Sequence, residues 1–273
     1  MKYSMDYVLS HRTGAQSSSE GVLRNKYIIL NYIGKIVSPY PTYLCLNLGI
    51  SPDMVTFASF FAILAGSVLF ILGYALAGAI AFLFFFVMDS VDGDLARCTR
   101  ISSYGIILDS FGADLFYGCA PASVGYFLYS ENIMLGKIMP HYILLAGAFA
   151  SITFLIYRIV GTKLILFRRG NPSQSRDEEY KEEVQKKIKK NIFIKIIKLS
   201  RHFLVKGNFF AEPGIIFWFF VLVCFKAYKT LAVYLIIILI YNISYLIINF
   251  INTYSYFKKS DKKILYEHNN QRQ

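Results

Sequence analysis

Asp89-Ser-Val-Asp92-Gly93-Asp94-Leu-Ala96-Arg97, followed by Gly105-Ile-Ile-Leu-Asp109 and then Asp114, sets a run of carboxylates inside two otherwise apolar segments. Twelve uncharged residues, Ala77 to Met88, lead directly into Asp89. An ionised side chain at membrane depth is costly, so carboxylates placed there are rarely idle. With only Arg97 and Arg100 as basic neighbours, Asp89, Asp92, Asp109 and Asp114 repel one another unless cations lie between them. Oxygen-only ligands suit Mg²⁺, Mn²⁺ or Ca²⁺; zinc prefers nitrogen and sulfur donors, which this stretch does not offer. The stretch reads as a divalent-metal site at the end of a membrane helix.

Asp89-x2-Asp92-Gly93-x2-Ala96-Arg97, with Gly105-x3-Asp109 and Asp114, resembles the signature of the CDP-alcohol phosphotransferase family. Members of that family transfer a substituted phosphoryl group from a CDP-linked donor to an alcohol and release CMP. Their pattern is D-x2-D-G-x2-A-R-x8-G-x3-D-x3-D, and its first half matches here at every fixed position. In the second half seven residues separate Arg97 from Gly105, and four separate Asp109 from Asp114. Gly105 and Asp109 are each displaced by one position, while the distance from Arg97 to Asp114 is kept. On a regular helix Asp109 and a residue at 113 lie ~40° apart, whereas Asp109 and Asp114 lie ~140° apart. Facing both carboxylates to one metal pair needs a one-residue bulge, for which Ser110 or Gly112 offers room.

The resemblance implies two divalent cations, Mg²⁺ or Mn²⁺, held by Asp89, Asp92, Asp109 and Asp114. It gives Asp114 the further task of deprotonating the acceptor hydroxyl. It places Gly93, Ala96, Arg97, Gly105 and Ser102 beside the nucleotide. Read from the residues, Gly93 and Ala96 remove side-chain bulk, either for close approach of a pyrimidine or diphosphate or for close helix packing. Arg97 suits phosphate oxygens in fork geometry, or an interfacial snorkelling position. Asp94 falls off the face of Asp89, Asp92 and Ala96 and is expected in solvent.

Outward from the motif, the 273 residues are 55% hydrophobic and 17% aromatic, with a net charge of +12 and a mean hydropathy of +0.45. These values place the chain among integral membrane proteins. The expected fold is all-α, with six transmembrane helices near 54–75, 76–97, 103–129, 141–162, 213–229 and 231–254, preceded by an amphipathic cytoplasmic surface helix. The resemblance carries the same count of six. Lys2, Arg12, Arg24, Lys26 and Lys35 precede the spans, a dense Lys/Arg run fills 163–206, and Lys258, Lys259, Lys262 and Lys263 follow them. The opposite connections hold only Lys137, Lys226 and Lys229, so both termini and the carboxylates are assigned to the cytoplasmic side.

By organisation, residues 1–20 are polar, lack a signal-peptide core and read as a disordered N-terminus. Residues 21–50 carry Ile29, Ile33, Ile36 and Val37 at helical spacing and read as an amphipathic juxtamembrane helix interrupted by Pro39 and Pro41. Residues 51–257 form the six-span domain with a basic cytoplasmic insertion at about 167–208, and 258–273 a polar tail. Lys189, Lys190, Lys195, Lys198 and Arg201 interleave with isoleucines, which favours anionic lipid; no RNA-binding motif accompanies them, and no nucleic-acid partner is assigned. Cys45, Cys98, Cys119 and Cys224 show no paired spacing and read as reduced packing residues.

Ser51-Pro52-Asp53-x2-Thr56 opens span one. It fits a helix start with Ser51 as N-cap and Pro52 at the first position. By resemblance Pro52 and Thr56 also border the nucleotide. Arg158 and Lys163, ending span four, suit an acceptor phosphate or simple snorkelling. The implied partners are a CDP-linked donor, with CDP-diacylglycerol first, an alcohol or polyol phosphate acceptor, membrane lipids and a second copy of the chain as a homodimer. The competing readings are a soluble CDP-alcohol donor with a lipid or sugar acceptor, a cation transporter threading the aspartates, and an inactive scaffold.

Overall fold

The computed structural model describes residues 3–14, 34, 36–99, 103–170, 210 and 212–270. The described chain is helical: α1 (Met5–Gly14), α2 (Pro39–Leu48), α3 (Pro52–Ile71), α4 (Ala75–Cys98), α5 (Ser103–Ser130), α6 (Pro140–Gly170), α7 (Glu212–Cys224) and α8 (Tyr228–Asn270). Four stretches, Pro52–Ile71, Ala75–Cys98, Pro140–Gly161 and Tyr228–Ile248, are long and apolar enough to cross a membrane. α7 is apolar but has only 13 residues, about 20 Å of helix against the ~30 Å of a bilayer core. It stops where Lys226 turns left-handed at φ 51, with the Lys226 and Ala227 amides closing on the Val223 and Leu222 carbonyls. That stop cuts short the span expected over 213–229.

Local sequence explains the other boundaries. Ser51 is extended and its hydroxyl accepts from the Met54 amide at 3.3 Å, with Pro52 next in the chain. This is the N-cap arrangement that the sequence predicts. Gly49, at φ 72, ends α2, and the Ile50 amide closes on the Cys45 carbonyl at 2.9 Å, a left-handed stop that glycine takes without strain. Gly73, at φ 86, lies in the turn between α3 and α4.

α3 to α8 pack in the cyclic order α4, α3, α5, α6, α8, α7, with α7 also against α4. Phe70, Phe82, Phe85, Phe116 and Phe127 fill the middle. Phe70 stacks on Phe82 and Phe85 on Phe116 at centroid separations of 5.5 and 5.6 Å. Phe61, Ile80, Ile107, Phe149 and Ile240 point outward, the apolar exterior of a protein whose solvent is lipid. Of the four free cysteines, Cys98 is buried, Cys45 and Cys119 are half-buried and Cys224 is exposed.

α5 and α6 approach through glycine. A Cβ on Gly147 would sit 2.5 Å from the Pro121 carbonyl oxygen and 3.0 Å from the Gly125 Cα. Both obstacles are backbone, so the helices must part to admit a methyl group. Gly147→Ala is expected to cost about 1–3 kcal/mol and to lower the melting temperature in detergent. Gly161→Ala, with nothing within 4 Å of its Cβ, should leave it unchanged.

Two expectations about the N-terminal segment change. Met5–Gly14, taken from composition to lack fixed structure, is a helix. Tyr7 donates its hydroxyl to the Cys98 carbonyl at 3.1 Å, and Val8 is buried with Leu46, Val55, Val91 and Leu95. Pro39, expected as a breaker, instead begins α2. Most of the amphipathic stretch, 21–33 and Lys35, and the basic insertion from 171 to 209 lie outside the described residues.

Candidate active site

The first turn of α3 meets the last turns of α4. Thr56 Oγ1 donates to Asp92 Oδ2 at 2.7 Å, and Asp92 is only 6% exposed. This contact joins two motif elements 36 residues apart. Asp89, one turn before Asp92 on α4, is half-buried. The pair at i and i+3 share a face of the helix, the face that Thr56 approaches.

Asp94 corrects the sequence expectation. It is not in solvent but 2% exposed. Its Oδ2 accepts from the Ser38 hydroxyl at 2.6 Å, and its Oδ1 accepts from Arg97 Nη2 at 2.5 Å. The reason is the N-terminal segment, which covers this side of α4. The Arg97 guanidinium lies over Gly93, whose ideal Cβ would fall 3.6 Å from Nη2, an ordinary van der Waals separation. Arg97 Nε is buried without a hydrogen-bond partner.

α5 is α-helical throughout 103–130, with no bulge between Asp109 and Asp114. Positions 109, 112 and 116 then form one stripe. Gly112 faces Phe60 of α3 and Phe85 of α4, and Phe116 packs on Phe82 and Phe85. Asp114 lies about 140° from position 109 and turns to α6, where Arg158 Nε donates to its Oδ1 at 2.5 Å. Both side chains are about one-third exposed, at 35% for Arg158 and 32% for Asp114. The bulge that was to bring Asp109 and Asp114 onto one face is therefore absent, and Asp114 is held by a cation from another helix. Among the described residues no three His, Cys, Asp or Glu side chains form a metal-ligand group. Ser102 and the side chains of Asp109 and Lys163 lie outside the described residues; Gly105 is half-buried near the start of α5 and Ala96 half-buried on α4.

A cavity of about 180 Å³ is lined by Phe154, Tyr157, Phe210, Tyr241, Asn242 and Tyr245. Asn242 Nδ2 donates to the Ala150 carbonyl at 3.0 Å, which fixes the amide in this wall. Ser38 and Asp94 are the residues that the sequence left out of the site. The Arg97 spacing at i+3 was readable for Asp94; nothing local announces Ser38, 56 positions away.

The donor set fits a hard divalent cation, since Asp89 and Asp92 offer carboxylate oxygens on one helix face. Arg97 Nε, buried and without a hydrogen-bond partner, is an unmet donor on the same helix. In comparisons with known proteins, the sequence model described as CDP-alcohol phosphatidyltransferase matches residues 49–251. No curated protein and no solved structure matches the chain.

Proposed function

The chain belongs to the CDP-alcohol phosphatidyltransferase family, and on that premise we propose that it moves a phosphatidyl group from CDP-diacylglycerol to the hydroxyl of a small alcohol or polyol phosphate, releasing CMP. Transfer of a substituted phosphate from a CDP-alcohol follows from the family; the lipid donor and the acceptor class are the proposal. The observation that carries it is the contact of Thr56 with buried Asp92, which joins the start of α3 to the motif of α4.

In this reading Asp89 and Asp92, with Asp109 of α5, hold divalent cations, Mg²⁺ or Mn²⁺. Such ions neutralise the donor's diphosphate and stabilise the leaving CMP. Pro52, Thr56, Gly93, Ala96, Gly105 and Ser102 border the nucleotide, and Arg97 meets its phosphates. The acceptor oxygen forms the new bond to the donor's β-phosphorus as the bond from that phosphorus to the CMP oxygen breaks. The acceptor's proton passes to Asp114. Arg158 orients Asp114 through Oδ1, and with Lys163 it serves the acceptor's anionic group. The aromatic cavity lined by Tyr157 and Tyr241 receives the acceptor's carbon skeleton. α3, α4, α5, α6, α7 and α8 make six crossings, α7 being the short fifth, with the Lys/Arg-rich termini and the site facing the cytoplasm and the chain acting as a homodimer.

The test is CMP release by the purified protein in nanodiscs containing CDP-diacylglycerol, across a panel of alcohols and polyol phosphates. Release should require an acceptor, vanish with EDTA and return with Mg²⁺ or Mn²⁺. Release from a soluble CDP-alcohol but not from CDP-diacylglycerol would overturn the lipid donor. Chelator-insensitive release would overturn the divalent-ion reading. No release from either donor type would sink the proposal.

A further inference from the structure

We infer that Ser38 and Asp94 form a positioning relay for Arg97, and that this buried link sets how tightly the enzyme holds the phosphates of its CDP donor. The inference rests on the function proposed above. Asp94 occupies a variable position of the motif, so the motif gives it no task.

A carboxylate 2% exposed is retained in a fold only when it is well partnered. The charge-assisted partners of Asp94 include Arg97 Nη2 at 2.5 Å and the Ser38 hydroxyl at 2.6 Å. Ser38 is itself completely buried. Its side chain makes no capping bond to α2, although it occupies the N-cap position where serine ordinarily caps. It bonds to Asp94 instead. Its backbone is fixed on both sides, the amide donating to the Gly34 carbonyl at 2.8 Å and the carbonyl accepting from Thr42 Oγ1 at 2.8 Å. Gly34 is pressed against α4, since a Cβ there would lie 2.6 Å from Ser90 Oγ.

At the other end of the relay, the anchored guanidinium lies over Gly93, the residue after Asp92. Arg97 Nε is buried with no partner. An unmet buried donor is unfavourable, and a phosphate oxygen that reaches it would satisfy it. Arginine carries several rotatable bonds, and fixing it before the ligand arrives removes an ordering cost from binding. Ser38 thereby connects the segment preceding the spans to the phosphate-binding arginine.

The experiment compares wild type, Asp94→Asn, Asp94→Glu, Ser38→Ala and the Asp94→Asn/Ser38→Ala double variant in nanodiscs. It measures CDP affinity by calorimetry, KM and kcat from CMP release, and melting temperature. Losing one charge-assisted hydrogen bond should weaken CDP about tenfold in Asp94→Asn. Ser38→Ala should weaken it about threefold. The double variant should be no weaker than Asp94→Asn alone, because both act through one arginine. Asp94→Glu, keeping the charge, should fall between wild type and Asp94→Asn. KM for the acceptor should stay constant throughout, which general loosening of the fold would not allow. CDP affinity unchanged or tightened in both Asp94→Asn and Ser38→Ala, with wild type active, overturns the relay; tightening would mean that Asp94 competes with phosphate for Arg97. Wild type that neither binds CDP nor releases CMP overturns the donor reading itself, and the relay with it.

Discussion

Asp92→Asn is expected to cut CMP release by about a thousandfold or more while leaving the melting temperature nearly unchanged. The substitution keeps the shape of the side chain, and the amide oxygen still accepts from Thr56, which holds Asp92 at 2.7 Å. The packing of α3 on α4 therefore has little reason to change. What disappears is one negative charge from the carboxylate pair of α4, a loss that in the proposed site falls on cation binding. A residue kept only for its hydrogen bond would give the reverse pattern, activity surviving in Asn and stability falling in Ala. Measuring kcat/KM and melting temperature together separates the two roles. Wild-type activity in Asp92→Asn would remove the central ligand of the proposed site.

The parts of this site that were readable in the sequence are those fixed by local rules. Ser51-Pro52 announces a helix start because capping needs only neighbouring residues. Asp89, Asp92, Gly93 and Arg97 announce a site because carboxylates at the end of an apolar run need a reason to be there. The unreadable parts are contacts between distant segments. Tyr7 reaches the Cys98 carbonyl across 91 positions, so a polar N-terminus that looked structureless docks on α4. Asp94 looked solvated because helical phase alone put it off the motif face; the cover that buries it comes from Ser38, 56 positions away. The phase of α5 shows a different limit. Counting residues gave the angle between Asp109 and Asp114, but not whether the helix would bulge to close it. The unbroken helix leaves the angle open, and Arg158, 44 positions from Asp114, supplies the partner that no spacing could name.

The Asp114–Arg158 pair gives the other large expected effect. Asp114→Asn should lower kcat by about 10²–10⁴-fold, the usual contribution of a positioned general base. Stability should change little, because both side chains are about one-third exposed and such pairs contribute roughly 0–1 kcal/mol. A purely structural ion pair makes a different forecast, and the charge-swapped variant Asp114→Arg/Arg158→Asp distinguishes the two. Reversing the charges can restore the attraction between α5 and α6 but leaves no carboxylate at position 114 to take the acceptor's proton. The swap should therefore fold as wild type does and release no CMP. Arg158→Gln alone should act differently again, raising KM for a phosphate-bearing acceptor more than it lowers kcat. Recovery of activity in the swapped protein would show that the pair is a brace between helices, and the base would have to be sought among the carboxylates of α4 and at position 109.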